Sequence, residues 1–452
     1  MFTSVNPATG AEIATYEELK PEEVEAKLQC AADAFARWRT TSPGERAELL
    51  SRIAGQYETH KARLARTVTE EMGKTYKSAV AEIEKCIAGF RYYAKRGPAM
   101  LEPEKAMLAN GRQGETHLLP QGPVLAVMPW NFPFWQTVRF LAPTIMAGNV
   151  GLLKHASIVQ GCAGLMEEMM AAAGAPEGLF QNLRIKSGAV ASIIADERIV
   201  AVTLTGSEGA GASVAEVAGR HLKKVVLELG GSDPFIVMPS ADINAAIPQA
   251  VTARVQNTGQ SCICGKRMIV HADIHDDFLK GFTNAMLAVR AGDPMDEATD
   301  MGPLSSFEQL DTVLDQLERA KAAGGTLTGG ERIGNAGAFI SAGVLTGVPW
   351  DSEIAREEIF GPVAMVFKAK DADEAIRIAN AVPFGLGSSV WTNDEAEKRR
   401  FITEIEAGMT AVNQMLASAP EVPFGGIKRS GHGRELGREG LREFANLKTV
   451  ML

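Results

Sequence analysis

Apolar residues recur at helical spacing from residue 22 to residue 96. In "SPGERAELLSRIAGQYETHKARLARTVTEEMG", Ser42 reads as an N-cap and Pro43 as the first helical residue. Gly73 closes the run as a C-terminal stop. From about residue 122 the pattern changes to short apolar strands between helices. "PVLAVMP", "VGLLK", "IVAVTLTG" and "KVVLELGG" read as strands. "WQTVRFLAPTIMAG", "IVQGCAGLMEEMMAAAG" and "EGAGASVAEVAG" read as helices, the first interrupted at Pro143. This alternation predicts a parallel sheet covered on both faces, with ligands beyond the C-terminal ends of its strands.

A second α/β region runs from about 231 to 430. "KRMIVH", "PVAMVFKA" and "GSSVWT" are its strands, and "DDFLKGFTNAMLAVRAG" and "SSFEQLDTVLDQLERAKAAGG" its helices. The final stretch, "EFANLKTVML", alternates like an edge strand. The chain has 452 residues, enough for two or three domains, and 46% hydrophobic residues, enough for a sizeable core.

Charge and leader signals narrow the function classes. The net charge of -9 and the lack of a polybasic block exclude nucleic acid and anionic membranes as expected partners. No apolar run approaches the roughly 18 residues of a membrane span, and no secretory pattern opens the chain. The expected setting is the cytoplasm. Five cysteines at irregular spacing make no disulfide framework.

Four stretches carry candidate chemistry. "LTGSEGAG" (204–211) joins a strand end to a helix start, where backbone N–H groups bind phosphate; an ordinary strand–helix turn reads the same way. In "VLELGGSDP", Glu228 lies among apolar residues, where a carboxylate costs free energy unless paired or used, and burial suits it to general-base work. Asn131 in "MPWNFPFW" is an amide that could stabilise an oxyanion or simply complete a proline-containing turn. "NTGQSCICGKR" (257–267) holds Cys262 and Cys264. A zinc site would need a second ligand pair, which is absent, so no metal is expected. Redox pairs usually read C-x-x-C, and lone buried cysteines are usually inert. Cys262 follows a Thr-Gly-Gln stretch read as flexible, and it suits a nucleophile if a base and an oxyanion donor converge on it.

"PWNFP", "LTGSEGAG", "LELGG", "GQSC", "EEIFGP" and "PFGGIKRSGHGRELG" occur in the order and spacing of the aldehyde dehydrogenase superfamily. The chain resembles that family over essentially its whole length, including the 34 residues from Glu228 to Cys262. The resemblance implies an α/β fold of three parts. A Rossmann-type cofactor domain would comprise 1–100 and 121–229, and an α/β catalytic domain 230–431. A small β oligomerisation element, 101–120 with 432–452, would make a homodimer or homotetramer.

The resemblance also implies site roles. Cys262 would be the nucleophile on an aldehyde, Asn131 with the Cys262 N–H the oxyanion holder, and Glu228 the base that activates water against the thioester. NADP or NAD would accept the hydride. Trp130, Lys154, Gly206, Ser207, Glu358 and Phe360 would form the cofactor site, with Lys154 and Glu358 on the two riboses and Gly206 and Ser207 at the pyrophosphate. Some family members form a reversible disulfide at the position of the Cys262–Cys264 pair.

Ser157 stands where NAD-preferring members often carry Glu, so a 2′-phosphate is not repelled and NADP is the expected cofactor. Arg139 and Ser418 resemble the carboxylate anchor of succinate-semialdehyde dehydrogenases, and arginine suits a carboxylate because it binds it bidentately. Gln256 departs from that pattern, because some members carry a second arginine there, and this widens the expected range to other aldehydes. Three other readings compete: an acyl-transferring relative using coenzyme A, a non-catalytic relative and a cofactor-free cysteine hydrolase. They lack support in turn from Glu228, from the intact Cys262–Asn131–Glu228 set, and from any histidine activator.

Overall fold

The computed structural model describes all of residues 1–452. Two sheets organise it. The first has six strands in the order Gly431–His432, Lys224–Glu228, Ala201–Thr205, Pro123–Met128, Val150–His155 and Phe180–Asn182. All neighbours are parallel except Gly431–His432, which runs antiparallel to Lys224–Glu228. Its central strands are buried along almost their whole length, as a sheet covered on both faces requires.

The second sheet has seven strands in the order Thr326–Gly329, Gly343–Thr346, Val363–Ala369, Gly265–His271, Asp233–Val237, Ser389–Trp391 and Ala411–Val412. Alternate residues of one strand feed two separate cores. Ile236, Ile269 and Met365 pack on one face, while Phe235, Val237, Met268 and Val366 pack on the other. That period of two is the signature of extended backbone. A third, antiparallel sheet joins Glu104–Met107, Gln113–Pro120 and Ala445–Met451, and it leaves Met107, Leu447 and Met451 exposed. No helix is long and apolar enough to cross a membrane.

Two expectations change. The helical run from Ser42 to Gly73 is two helices, Pro43–Thr59 and Lys61–Met72, broken at His60. Ser42 does accept the Glu45 N–H, and Gly73 takes the left-handed conformation that ends the second helix. Pro143 interrupts nothing: Pro133–Ala147 is one helix and every residue in it is buried. Packing on all sides holds the helix through the missing N–H. The C-terminal segment divides its contacts between two sheets. Phe424, Leu436, Leu441 and Phe444 pack into the core of the six-stranded sheet, and only Ala445–Met451 joins the three-stranded one.

The start of Pro133–Ala147 is held by a carboxylate from another helix. Glu82, on Tyr76–Met100, accepts the N–H groups of Phe134 and Trp135 at 2.9 and 3.0 Å. A negative charge there meets the positive end of the helix. Its other oxygen accepts from Lys74 at 2.5 Å, and both side chains are almost wholly buried. Lys74 also lies 3.9 Å from the centre of the Phe132 ring, against the chain that leads from Asn131 into the helix. Glu82→Ala leaves the Lys74 ammonium and two N–H groups buried without their acceptor. The expected loss is about 3–5 kcal/mol, read as a lower urea midpoint; a change within about 0.5 kcal/mol contradicts the assigned role.

Candidate active site

Asn131 follows the strand Pro123–Met128, Gly206 and Ser207 follow Ala201–Thr205, and Glu228 ends Lys224–Glu228. All three positions lie at the C-terminal ends of parallel strands, where a doubly wound sheet opens a crevice. Cys262 comes from the other sheet's domain, on the loop between the helix Ile243–Val255 and the strand Gly265–His271.

The loop before Cys262 is clamped rather than flexible. Asn257, Thr258 and Gly259 have φ of 52°, 58° and 72°. The left-handed region costs a non-glycine residue roughly 1–2 kcal/mol. Gly259 is forced, because a Cβ there would lie 2.3 Å from the Gly361 carbonyl. Side chains hold the turn. Asn257 Nδ2 donates to the Asn131 carbonyl at 2.8 Å and to the Gln260 carbonyl at 3.0 Å. Gln260 Oε1 accepts the Ser305 N–H at 2.9 Å, and Thr258 Oγ1 donates to Gly302. Lys266 Nζ donates to the carbonyls of Ser261 and Cys262 at 2.8 and 2.7 Å. Neither Asn257 nor Lys266 stands out in sequence; the one usable signal was Asn-Thr-Gly, a run rich in residues that tolerate turns.

Two cavities meet at Cys262. One, of about 280 Å³, is lined by Trp130, Asn131, Thr205, Gly206, Ser207, Glu358 and Phe360. The Trp130 and Phe360 rings meet edge to face at 5.8 Å. Asn131 Nδ2 donates one hydrogen to the Gln260 carbonyl at 3.0 Å, which leaves its second N–H free. The other cavity, of about 200 Å³, is lined by Lys85, Trp135, Arg139, Gln256, Cys262 and Ser418, among others. The structure therefore gathers Trp130, Asn131, Gly206, Ser207, Glu358 and Phe360 on one side of the thiol, and Arg139, Gln256 and Ser418 on the other. Lys154 and Ser157 stand outside both linings, at the end of Val150–His155 and just beyond it. Glu228 lines neither cavity.

Burial dominates the electrostatics. It pushes the Cys262 thiol up to about 12, against the pull of Arg139 and Lys266. Both oxygens of Glu228 are buried without a hydrogen-bond partner. Burial, reinforced by Glu435, raises its pKa well above the usual carboxylate range, while Arg139 opposes the rise. Arg139 Nε lies 2.5 Å from Glu435 Oε2, and both side chains are almost wholly buried. Arg139 also lies 4.3 Å from the centre of the Phe424 ring. Glu435 lies within "PFGGIKRSGHGRELG", and nothing in that stretch marks it as a partner of Arg139. Cys264 is buried, with its sulfur 3.7 Å from the Gln256 carbonyl, and all five cysteines are free.

Residues 1–450 match the model of the aldehyde dehydrogenase family. The chain belongs to the aldehyde dehydrogenase family. It is thus an oxidoreductase that uses NAD or NADP to oxidise an aldehyde. A succinate-semialdehyde dehydrogenase [NADP(+)] of Mycobacterium tuberculosis is 51% identical over 100% of this chain and 99% of its own length. The solved succinic semialdehyde dehydrogenase of Streptococcus pyogenes, in complex with NADP+, is 36% identical with a TM-score of 0.98, covering both chains fully. A solved NAD-dependent aldehyde dehydrogenase of Sinorhizobium meliloti is 34% identical with a TM-score of 0.97, over 100% of this chain and 91% of that one.

The larger cavity suits a dinucleotide on its own chemistry. It reaches the N-terminus of the helix Glu208–Arg220, capped by Ser207, whose first N–H groups are free for a phosphate. Thr205 Oγ1 is buried there without a partner. Gly206 leaves open space, since a Cβ would meet nothing closer than 3.5 Å. Gly230 admits Glu358, whose Oε2 would lie 2.5 Å from a Cβ at that position. Lys154 has no carboxylate partner, and burial lowers its pKa from the ordinary lysine value.

Because the Cys262 thiol is neutral at rest, its alkylation in the cofactor-free enzyme should speed up about tenfold per pH unit between 7 and 9. Peptide mass spectrometry after iodoacetamide labelling reads this directly. A plateau below pH 8 would contradict the burial argument.

Proposed function

We propose that this chain oxidises succinic semialdehyde to succinate with NADP, through a covalent adduct on Cys262. The carrying observation is that the Cys262 thiol, the Arg139 guanidinium and the Ser418 hydroxyl line one cavity. A four-carbon aldehyde with a carboxylate at its far end is complementary to that set. The names of the relatives point the same way.

In this reading the Cys262 thiol gives its proton to solvent water, and the resulting thiolate attacks the aldehyde carbon. The free Asn131 N–H and the Cys262 backbone N–H hold the oxygen as it becomes negative. Trp130, Lys154, Gly206, Ser207, Glu358 and Phe360 would hold a nicotinamide dinucleotide, which would supply the hydride acceptor for the oxidation, so that Cys262 would be left bearing a thioester. Lys266 fixes the Cys262 carbonyl and pairs with Glu358 Oε1 at 3.0 Å, which ties the nucleophile loop to the cofactor side. Glu228 then takes a proton from water, and the hydroxide attacks the thioester carbon; Cys262 leaves as thiolate. Its carboxylate is withdrawn from both cavities in this conformation, so this step needs a rotation of its side chain. Its raised pKa makes deacylation fall as pH drops, because only the ionised form is a base.

Ser157 is exposed and brings no negative charge beside Lys154, which favours a 2′-phosphate. The exposed apolar residues of the three-stranded sheet support self-association through it.

Initial rates with succinic semialdehyde and propanal, each with NADP and with NAD, test the reading. The expected kcat/KM is at least tenfold higher for the semialdehyde, and higher with NADP than with NAD. Equal efficiency with propanal would leave a broad aldehyde dehydrogenase, and equal or better efficiency with NAD would remove the Ser157 argument.

A further inference from the structure

The cavity beyond Cys262 contains a lysine outside the motifs that carry the family resemblance. Lys85 projects from the helix Tyr76–Met100, and its Nζ donates to Ser418 Oγ at 2.7 Å. Trp135 Nε1 donates to the same oxygen at 3.0 Å, and Nζ stands 4.9 Å from the centre of the Trp135 ring. Ser418 therefore accepts two hydrogen bonds. A hydroxyl has two lone pairs and one proton, so its remaining capacity is to donate. Lys85 has two further N–H groups with no partner, and no carboxylate pairs with it: Glu82, one turn earlier, is taken by Lys74 and two backbone N–H groups.

The other charges of the cavity are already committed. Arg139 is paired with Glu435, and Gln256 is neutral, with its Nε2 buried and unpartnered. The net positive charge facing a ligand is thus carried by Lys85. Burial, then the nearby Arg139 cation, lowers its pKa to about 8, a cost that an anion bound beside Lys85 would offset.

We propose that Lys85 is a specificity-determining residue, which with the Ser418 hydroxyl binds the far carboxylate of the substrate, while Trp135 holds Ser418 in place. Arg139 contributes from the Glu435 side, and Gln256 supplies a neutral donor. The inference rests on the semialdehyde reading above and deepens it: the substrate class is a short aldehyde with an ω-carboxylate, and the decisive cation comes from the helical N-terminal region. This supplies a cation in the cavity where Gln256 stands in place of the second arginine that some family members carry.

The test compares the wild type with Lys85→Met, Lys85→Gln and Lys85→Arg. For each, kcat/KM is measured with succinic semialdehyde and with butanal, an uncharged aldehyde of the same length, at saturating NADP. Lys85→Met and Lys85→Gln are expected to lower the semialdehyde-to-butanal ratio by about 10- to 100-fold, mainly through KM for the semialdehyde. Lys85→Arg should restore most of it. Inhibition by succinate should weaken in parallel. A ratio that stays at the wild-type value in the neutral variants overturns the assignment of Lys85 alone. An equal loss on both aldehydes also overturns it, since that is the mark of a structural role. A wild-type ratio near one overturns the semialdehyde reading and this inference together. Lys85→Gln keeps a polar side chain at the position, so the ratio can be read even if Lys85→Met folds poorly.

Discussion

The active site depends on one side chain that ties two sheets together. Asn257 Nδ2 bonds the Asn131 carbonyl, at the end of a strand of the first sheet, and the Gln260 carbonyl, two residues before Cys262 in the second domain. Gln260 O in turn accepts from Asn131 Nδ2. The proposed nucleophile and oxyanion donor are thereby fixed to each other although they belong to different sheets. The left-handed turn at 257–259 is the conformation that makes this bridge possible, and its strain is held by buried hydrogen bonds on both sides.

Around that bridge, burial sets the charge states. Cys262 and Glu228 are both pushed towards their neutral forms; Arg139 acts on both, Lys266 acts on Cys262, and Lys85 lines the cavity on the aldehyde side. Only Lys266 and Arg139 are paired with carboxylates, Glu358 and Glu435. The cofactor side therefore has its cation neutralised by the residue proposed to hold a ribose. The aldehyde side keeps a free one. This asymmetry separates the two cavities chemically, one proposed to take a dinucleotide and the other a small anion-bearing aldehyde.

The central strands of the first sheet and three strands of the second were legible as short apolar runs with clear helical intervals, Asp233–Val237 was not, and the family motifs singled out Asn131, Glu228, Cys262 and Glu358 as the proposed site residues. What stayed hidden depends on contacts distant in sequence. Lys85 meets Ser418 across 333 residues, and a lysine on an amphipathic helix reads as a solvated face. Pro143 reads as a break because local propensity cannot register that all of Pro133–Ala147 is packed. Asn257 reads as part of a flexible loop because turn-tolerant residues look alike whether a turn is loose or clamped. Glu435 gains its meaning only from Arg139 beside it.

The division of labour between Cys262 and Glu228 is the central claim, and a single-turnover experiment on Glu228→Gln tests it most directly. Mixed with succinic semialdehyde and NADP, the variant should release about one equivalent of reduced cofactor per subunit at near wild-type speed and then stall. Turnover should fall by about 10²- to 10⁴-fold, and intact-mass analysis should find a succinyl group on Cys262. Wild-type steady turnover, or loss of the burst together with the steady rate, would contradict the account.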